Sequence, residues 1–217
     1  MSEKLFGLTD EEREQAAEIL WEETKKCTLA CRACPLSETR NKVVFGDGDR
    51  KSSLMFIGEG PGADEDSQGL PFVGRAGQLL TQILSAAGIE RKDVFITNIV
   101  KCRPPENRVP TPEEMLCCDR HLQTQILIMK PALIVLLGNT PLRWILKTTE
   151  GITKLRGRWF EWHGAAVMPM FHPSYLLRNN TSNEGGPKHL TWLDIQEVKR
   201  QWERYKQTGR LDETIFG

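Results

Sequence analysis

The chain has 217 residues, of which 39% are hydrophobic and 27% charged, and its 29 basic side chains balance 29 acidic ones. This composition is typical of a soluble globular protein with one large or two small domains, and the zero net charge excludes a surface coated uniformly with positive charge, though not a local basic face. The acidic start MSEKLFGLTDEEREQ is unlike a signal peptide, and no apolar run approaches the roughly eighteen residues of a membrane span, so we expect a cytosolic protein.

Helical and strand patterns alternate along the chain. An amphipathic helix is predicted near the start, and four short apolar runs predict buried strands. The predicted helices cover 9–27, 76–88, 111–130, 139–147 and 189–206, and the predicted strands cover 53–58, 94–100, 132–138 and 165–171. Strands that alternate with helices predict a mainly parallel sheet with helices on both faces. We therefore expect one α/β domain over residues 1–217, with an N-terminal helix within residues 1–30.

Polar or glycine-rich segments follow each of the four predicted strands. In chain order they are GEGPG, KCRPPENR, GNTP and HPSYLLRNN. Because the carboxyl ends of parallel strands meet at one edge of a sheet, where ligands bind in such folds, these segments predict a single functional site.

The stretch GEGPGADEDSQGLPFVG, residues 58–74, carries the densest glycine in this predicted site. Glycine at this density indicates sharp turns or close approach of the backbone to a ligand. Phosphate-binding loops are also glycine-rich, but they include a lysine, whereas this stretch has none and contains Glu59, Asp64, Glu65 and Asp66. The pattern therefore does not indicate a phosphate loop.

The cysteines suggest a metal centre rather than disulfides, which are rare in cytosolic proteins. Cys31 and Cys34 form a Cys-x-x-Cys pair, Cys102 follows the second predicted strand, and Cys117 and Cys118 lie on the next predicted helix. Four thiolates suit either zinc or an iron–sulfur cluster, and one pair plus two dispersed ligands favours a [4Fe–4S] cluster. The remaining cysteines, which are Cys27 and one of the adjacent two, are interpreted as plain buried cysteines of the core.

Several long segments together resemble the family 4 uracil-DNA glycosylases, the iron–sulfur type found in bacteria and archaea. The segments are CRACPL, GEGPGADEDSQGLPFVGRAGQLL, TNIVKCRPPENR and MFHPSYLLR, and the resemblance runs from about Cys31 to Lys199. It implies a three-layer α/β/α sandwich with a central four-stranded, mainly parallel sheet. It also implies a base-excision-repair enzyme that removes uracil from single- or double-stranded DNA. We expect a monomer in the bacterial or archaeal cytosol, and the implied [4Fe–4S] ligands are Cys31, Cys34, Cys102 and Cys118.

The resemblance gives the glycine-rich stretch a ligand, which is a flat base taken out of the DNA stack. It implies that Gly58 and Gly60 let the backbone approach the base and that Phe72 stacks on it. Asn98 would match O4 and N3–H of uracil with its amide and mispair with cytosine. Without the resemblance, Asn98 is equally well interpreted as a turn or capping residue.

The same resemblance suggests roles in bond cleavage. His172 would stabilise the departing uracil anion near O2, although a histidine before proline is also a common structural cap. Glu59 would orient the attacking water or offset the positive charge on the sugar, and Glu65 and Asp64 are the alternatives. These residues are expected both to bind the substrate and to carry the chemistry.

DNA contacts are expected from the loops around the pocket. Lys101, Arg103 and Arg178 are predicted to meet phosphates, and Leu176 or Leu177 to enter the space that the base leaves.

A second hypothesis is a protein that binds uracil-DNA without cleaving it or becomes covalently trapped on it. Related trapping proteins carry a histidine in an arginine-rich loop, and KCRPPENRVPTPEE has none, which favours turnover. A third hypothesis is a zinc-stabilised nucleotide hydrolase, but the sequence contains no phosphate-binding loop of the kind that such an enzyme would use.

Overall fold

The computed structural model describes residues 9–179, 181 and 183–216. Within them, the strands are β1 (Asp47–Gly48), β2 (Leu54–Gly58), β3 (Phe95–Asn98), β4 (Leu133–Leu137), β5 (Phe160–Trp162) and β6 (Ala165–Met170). The helices are α1 (Asp10–Leu29), α2 (Leu36–Thr39), α3 (Ala63–Gln68), α4 (Arg75–Ala86), α5 (Pro112–Met129), α6 (Asn139–Leu146), α7 (Ile152–Leu155), α8 (Pro173–Arg178) and α9 (Pro187–Thr208). No helix in this part of the chain is both long enough and apolar enough to cross a membrane.

The six strands form one sheet in the order β1-β3-β2-β4-β6-β5. The central four, β3, β2, β4 and β6, are parallel to one another, and the two short outer strands pair antiparallel with their neighbours. Gly58 pairs with Asn98 across β2 and β3. The carboxyl ends of the four parallel strands therefore meet at one edge.

Helices cover both faces of this sheet, so the molecule has three layers. Alternate residues of the strands point to opposite faces. Phe56, for example, packs with residues of α4 and α9 in one apolar cluster, and Ile57 packs with residues of α1, α5 and α6 in another. Every residue of the four central strands is buried, as expected for strands covered on both sides.

The two long helices on the second face begin at reciprocal caps that the sequence encodes. Thr9 and Glu12 form a capping box at the start of α1, and Thr111 and Glu114 form one at α5, with Pro112 at its first position. The α5 box also fixes the end of the loop that follows β3. This loop and α5 carry Cys102 and Cys118.

The predicted fold class and the four predicted strands are confirmed. The sequence patterns do not predict β1 and β5, because two or three residues are too few to show a strand periodicity. The segment interpreted as a loop after the fourth predicted strand instead folds into the short helix α8, for which His172 is the N-cap.

Candidate active site and cysteine-lined cavity

An open cleft lies at the carboxyl ends of the parallel strands, where the sequence predicts the site. Its volume is about 1210 Å³, which exceeds the roughly 300–1,000 Å³ of typical small-molecule pockets and so suits a larger ligand. Gly60, Phe72, Asn98, Gly138 and His172 are among the residues that line it. The cleft therefore brings together segments that follow four different strands.

Asn98 ends β3 and lines this cleft. It is 2% exposed, and its Oδ1 atom is buried without a hydrogen-bond partner among the described residues. A buried acceptor left unpaired costs stability, so such an atom indicates a missing ligand donor. The neighbouring Gly58 has to be glycine, because a Cβ there would overlap Asn98 Oδ1 and the ring of Phe72.

Phe72 supplies an aromatic wall next to Asn98. Its backbone is left-handed, with φ of 51°, and its side chain is 7% exposed. Gly77 allows this turn, because a Cβ there would overlap the Phe72 backbone. The Phe72 ring lies 5.7 Å from the His172 ring, measured between centroids. The two rings therefore border the same part of the cleft.

His172 is the N-cap of α8, which matches the prediction that it is a structural cap. It also lines the cleft. Its Nδ1 atom accepts a hydrogen bond of 3.1 Å from the backbone N–H of Ser174. An Nδ1 that accepts cannot carry the proton of a neutral imidazole, so the proton is on Nε2. Burial, assisted by the positive charge of Arg178, lowers the pKa of His172 to about 4. The ring is therefore a neutral Nε2–H donor at pH 7.

Two glutamates of the glycine-rich loop are held in different ways. The Glu59 carboxylate accepts a hydrogen bond from the Thr140 hydroxyl, and both residues line the cleft. Glu65 accepts from the backbone N–H groups of Gly62, Val73 and Gly74 at 2.9–3.1 Å. The Glu65 carboxylate thus stabilises the loop, and Asp64, the other alternative, is exposed and does not line the cleft. The sequence analysis places Thr140 in the GNTP segment of the predicted site but gives it no role.

The cationic and apolar residues predicted to contact DNA differ in how exposed they are in the structure. Arg178 is exposed at the cleft, together with Arg143, which the sequence analysis did not single out. Arg103 is half-buried and donates to Asn107 Oδ1 at 2.8 Å. Leu177 is 38% exposed, whereas Leu176 is 1% exposed. The prediction that Leu176 enters DNA is wrong, because its side chain packs in the apolar cluster beneath α8.

The prediction that Lys101 meets a phosphate is also wrong. Its side chain is 1% exposed, and its ammonium group donates to Thr97 Oγ1, the Asn98 carbonyl and Gln125 Oε1. Burial lowers the pKa of Lys101 to about 7, and the Cys118 thiol opposes that shift. The sequence places Lys101 after a strand, but the chain turns it inward, towards α5.

Five of the six cysteines line one small second cavity. They are Cys31, Cys34, Cys102, Cys117 and Cys118. The prediction that Cys27 is buried is wrong, because its side chain is exposed on α1. Burial raises the pKa of Cys102 and brings that of Cys118 to about 11, so both are protonated thiols in the absence of a metal. Within the residues described, no three metal-binding side chains converge closely enough to hold one metal ion.

Nitrogen donors surround this cavity. Arg40 donates to Cys102 Sγ at 3.1 Å and to the Cys31 carbonyl at 2.6 Å, which joins two of the cysteine segments. The backbone N–H of Lys101 donates to Cys118 Sγ at 3.3 Å. His121 also lines the cavity, and its buried Nε2 has no partner in the described part of the chain. Thiols, nitrogen donors and an imidazole nitrogen without a partner among the described residues therefore surround one cavity.

Comparison with known proteins identifies relatives over most of the chain. Residues 45–196 match the model of the uracil DNA glycosylase superfamily. A type-4 uracil-DNA glycosylase of Thermotoga maritima is 50% identical over 189 residues, which are 86% of this chain and 95% of that protein. One of Sulfurisphaera tokodaii is 42% identical, over 73% of this chain and 76% of that protein. A type-5 uracil-DNA glycosylase of Thermus thermophilus is 32% identical, over 86% of this chain and 89% of that protein.

Proposed function

The chain belongs to the uracil DNA glycosylase superfamily, and from that premise we propose that it hydrolyses the N-glycosidic bond of uracil in DNA and leaves an abasic site. The observation that carries this proposal is the buried, unpartnered Oδ1 of Asn98 beside Phe72 and His172. A DNA glycosylase has to hold its base outside the stack and read its edge by hydrogen bonds. The cleft brings together an amide that can hydrogen-bond the edge of the base (Asn98), an aromatic ring (Phe72) and a hydrogen-bond donor (His172).

Uracil recognition rests on the Asn98 amide. Oδ1 accepts from N3–H of uracil and thereby gains the partner that it lacks, while the amide nitrogen donates to O4. Cytosine presents an unprotonated N3 and an amino group at these positions, so the same amide would face two mismatches. Gly58 leaves room for the amide oxygen, because a Cβ at this position would overlap Asn98 Oδ1.

Bond cleavage leaves negative charge on uracil and positive charge on the sugar. The neutral His172 donates from Nε2 to uracil O2 as the charge develops, which lowers the barrier in the manner of an oxyanion hole. A neutral donor that is already fixed by its bond from Ser174 needs no rearrangement during the reaction. Glu59, held by Thr140, supplies negative charge near the sugar and an acceptor for the attacking water.

DNA binding comes from the rim of the cleft. Arg178 and Arg143 are exposed there and contact phosphates, which supply most of the affinity but no base selectivity. Leu177 is the exposed apolar side chain on α8 that fills the gap in the stack.

A [4Fe–4S] cluster is the cofactor that the cysteine-lined cavity suits best. Cys31, Cys34, Cys102 and Cys118 would hold it, and Arg40 and His121 would face it. The arrangement of the cysteines in the sequence, one Cys-x-x-Cys pair plus two dispersed residues, favours a four-iron cluster over one tetrahedral zinc ion. When bound, the cluster would cross-link the segment after α1, the loop after β3 and α5.

The test is a uracil-containing oligonucleotide incubated with catalytic amounts of the protein and then treated with alkali. Turnover gives free uracil and strand scission at the uracil position, in excess of the protein added. A non-catalytic binder gives a shifted complex without scission, and a trapping protein gives at most one adduct per protein molecule. Either of these results would refute the proposed reaction.

A further inference from the structure

The buried ammonium group of Lys101 lies between the uracil pocket and the cysteine-lined cavity. It donates to Thr97 Oγ1 at 2.5 Å, to the Asn98 carbonyl at 2.9 Å and to Gln125 Oε1 at 2.7 Å. An ammonium group has three N–H donors, so every one of them has an acceptor. The side chain is thus held in one position.

Stability alone does not account for a lysine in this place. None of its three acceptors is a carboxylate, so the charged form has no carboxylate partner among these contacts, and only Cys118, when it holds the cluster as a thiolate, would offset the charge among the groups it contacts. Burying an ammonium group is expensive, and an apolar side chain of similar length is often equally or more stable in such a position. A polar group retained at a cost in the core indicates a role in function.

The contacts of Lys101 connect two sites. Its side chain binds the backbone of Asn98, the residue with the unpartnered amide oxygen. Its backbone N–H donates to Cys118 Sγ, and its third acceptor, Gln125, lies on the same helix as Cys118. The segment 98–101 is also aligned with the glycine-rich loop, because Val100 N–H donates to the Glu59 carbonyl at 3.1 Å.

We propose that Lys101 is a positioning residue for base recognition, which acts by fixing the backbone of Asn98 and, through it, the direction of the Asn98 amide. This inference rests on the proposed function, because it assumes that Asn98 reads uracil. Lys101 is itself held by Gln125 on α5, the helix that carries Cys118. The position of the Asn98 amide in the base pocket therefore depends on the position of α5.

The experiment compares Lys101→Met with wild type in two equilibrium measurements. Inhibition by free uracil reports base recognition, and binding of an abasic-site oligonucleotide reports DNA contacts. Lys101→Met should weaken uracil inhibition by about tenfold, the scale of one hydrogen bond, and leave abasic-site binding within about twofold. Lys92→Met removes an exposed lysine whose partner is Glu90, and it should change neither measurement.

A double-mutant cycle separates positioning from general stability. If Lys101 acts through Asn98, Lys101→Met should cause no further loss of uracil inhibition in an Asn98→Ala background. Equal losses of uracil and abasic-site binding, or additive losses in the cycle, would overturn the proposal. If Lys101→Met does not fold, Thr97→Val removes one of the three acceptors and should weaken uracil inhibition alone, to a smaller extent; no effect there would also overturn it. Absence of uracil inhibition in the wild type would instead refute the proposed function.

Discussion

Replacement of His172 separates its capping of α8 from the catalytic role that we propose for it. Nδ1 caps α8, and Nε2 carries the proton that we propose stabilises the uracil anion. With a pKa of about 4, only about one ring in a thousand is charged at pH 7, so the working species is the neutral donor. His172→Ala removes both jobs, whereas His172→Asn keeps a good N-cap and places no donor at the Nε2 position.

The expected magnitudes differ for rate and for stability. Loss of one preorganised donor costs about 10²–10³ in rate, or roughly 2.7–4 kcal/mol of transition-state stabilisation. Loss of the cap costs about 1 kcal/mol of folding stability. Both variants should therefore cleave at least about a hundredfold more slowly, and only His172→Ala should show the lower free energy of unfolding.

The assay is single-turnover cleavage of a labelled uracil oligonucleotide with protein in excess, together with urea unfolding of each variant. Affinity for the uncleaved DNA should change little, because the donor acts in the transition state and phosphate contacts dominate binding. A normal rate in His172→Asn would refute the reasoning, since it would show that the cap and not the Nε2 proton supports the reaction.

The other predictions concern the pocket, the cavity, the rim and the effect of pH. Asn98→Ala should abolish discrimination between free uracil and 3-methyluracil as inhibitors, because the methylated base lacks the N3–H that Oδ1 accepts; a retained preference would remove Asn98 from recognition. Cys118→Ala should lose iron absorbance near 400 nm and solubility, whereas Cys117→Ala should keep both, and the reverse result would reassign the ligand. Arg178→Ala should bind DNA more weakly and with a smaller salt dependence but cleave at a normal rate once saturated, and an unchanged salt slope would contradict its phosphate contact. Folding lowers the pKa of His172 to about 4 from about 6.5, so its contribution to stability should be present above pH 6.5 and lost as the pH falls towards 4. The urea midpoint of unfolding, measured at several pH values, should therefore fall in acid, and a midpoint that does not fall would contradict this prediction.

The sequence predicts the architecture well, because four apolar runs and the helices between them are strong local signals. It also predicts that Asn98 and His172 lie together, since both follow parallel strands whose ends meet at one edge. The family and fold predictions are confirmed by the comparisons and the structure. The roles of the individual site residues stay predictions.

The errors arise where the direction of a side chain depends on tertiary packing. Lys101 and Leu176 lie in segments that look like exposed loops, yet one turns towards α5 and the other packs beneath α8. The contact of Thr140 with Glu59 was missed because this hydrogen bond joins residues 81 positions apart. Local sequence patterns carry no information on such contacts.

Release of the free base from two oligonucleotides that differ only in uracil or cytosine at one position tests the central claim most directly. We predict that the protein releases uracil over many turnovers, leaves cytosine attached, and loses most of its uracil activity in Asn98→Ala. Release of both bases at similar rates, or of neither, would contradict the claim that the Asn98 amide selects uracil for cleavage.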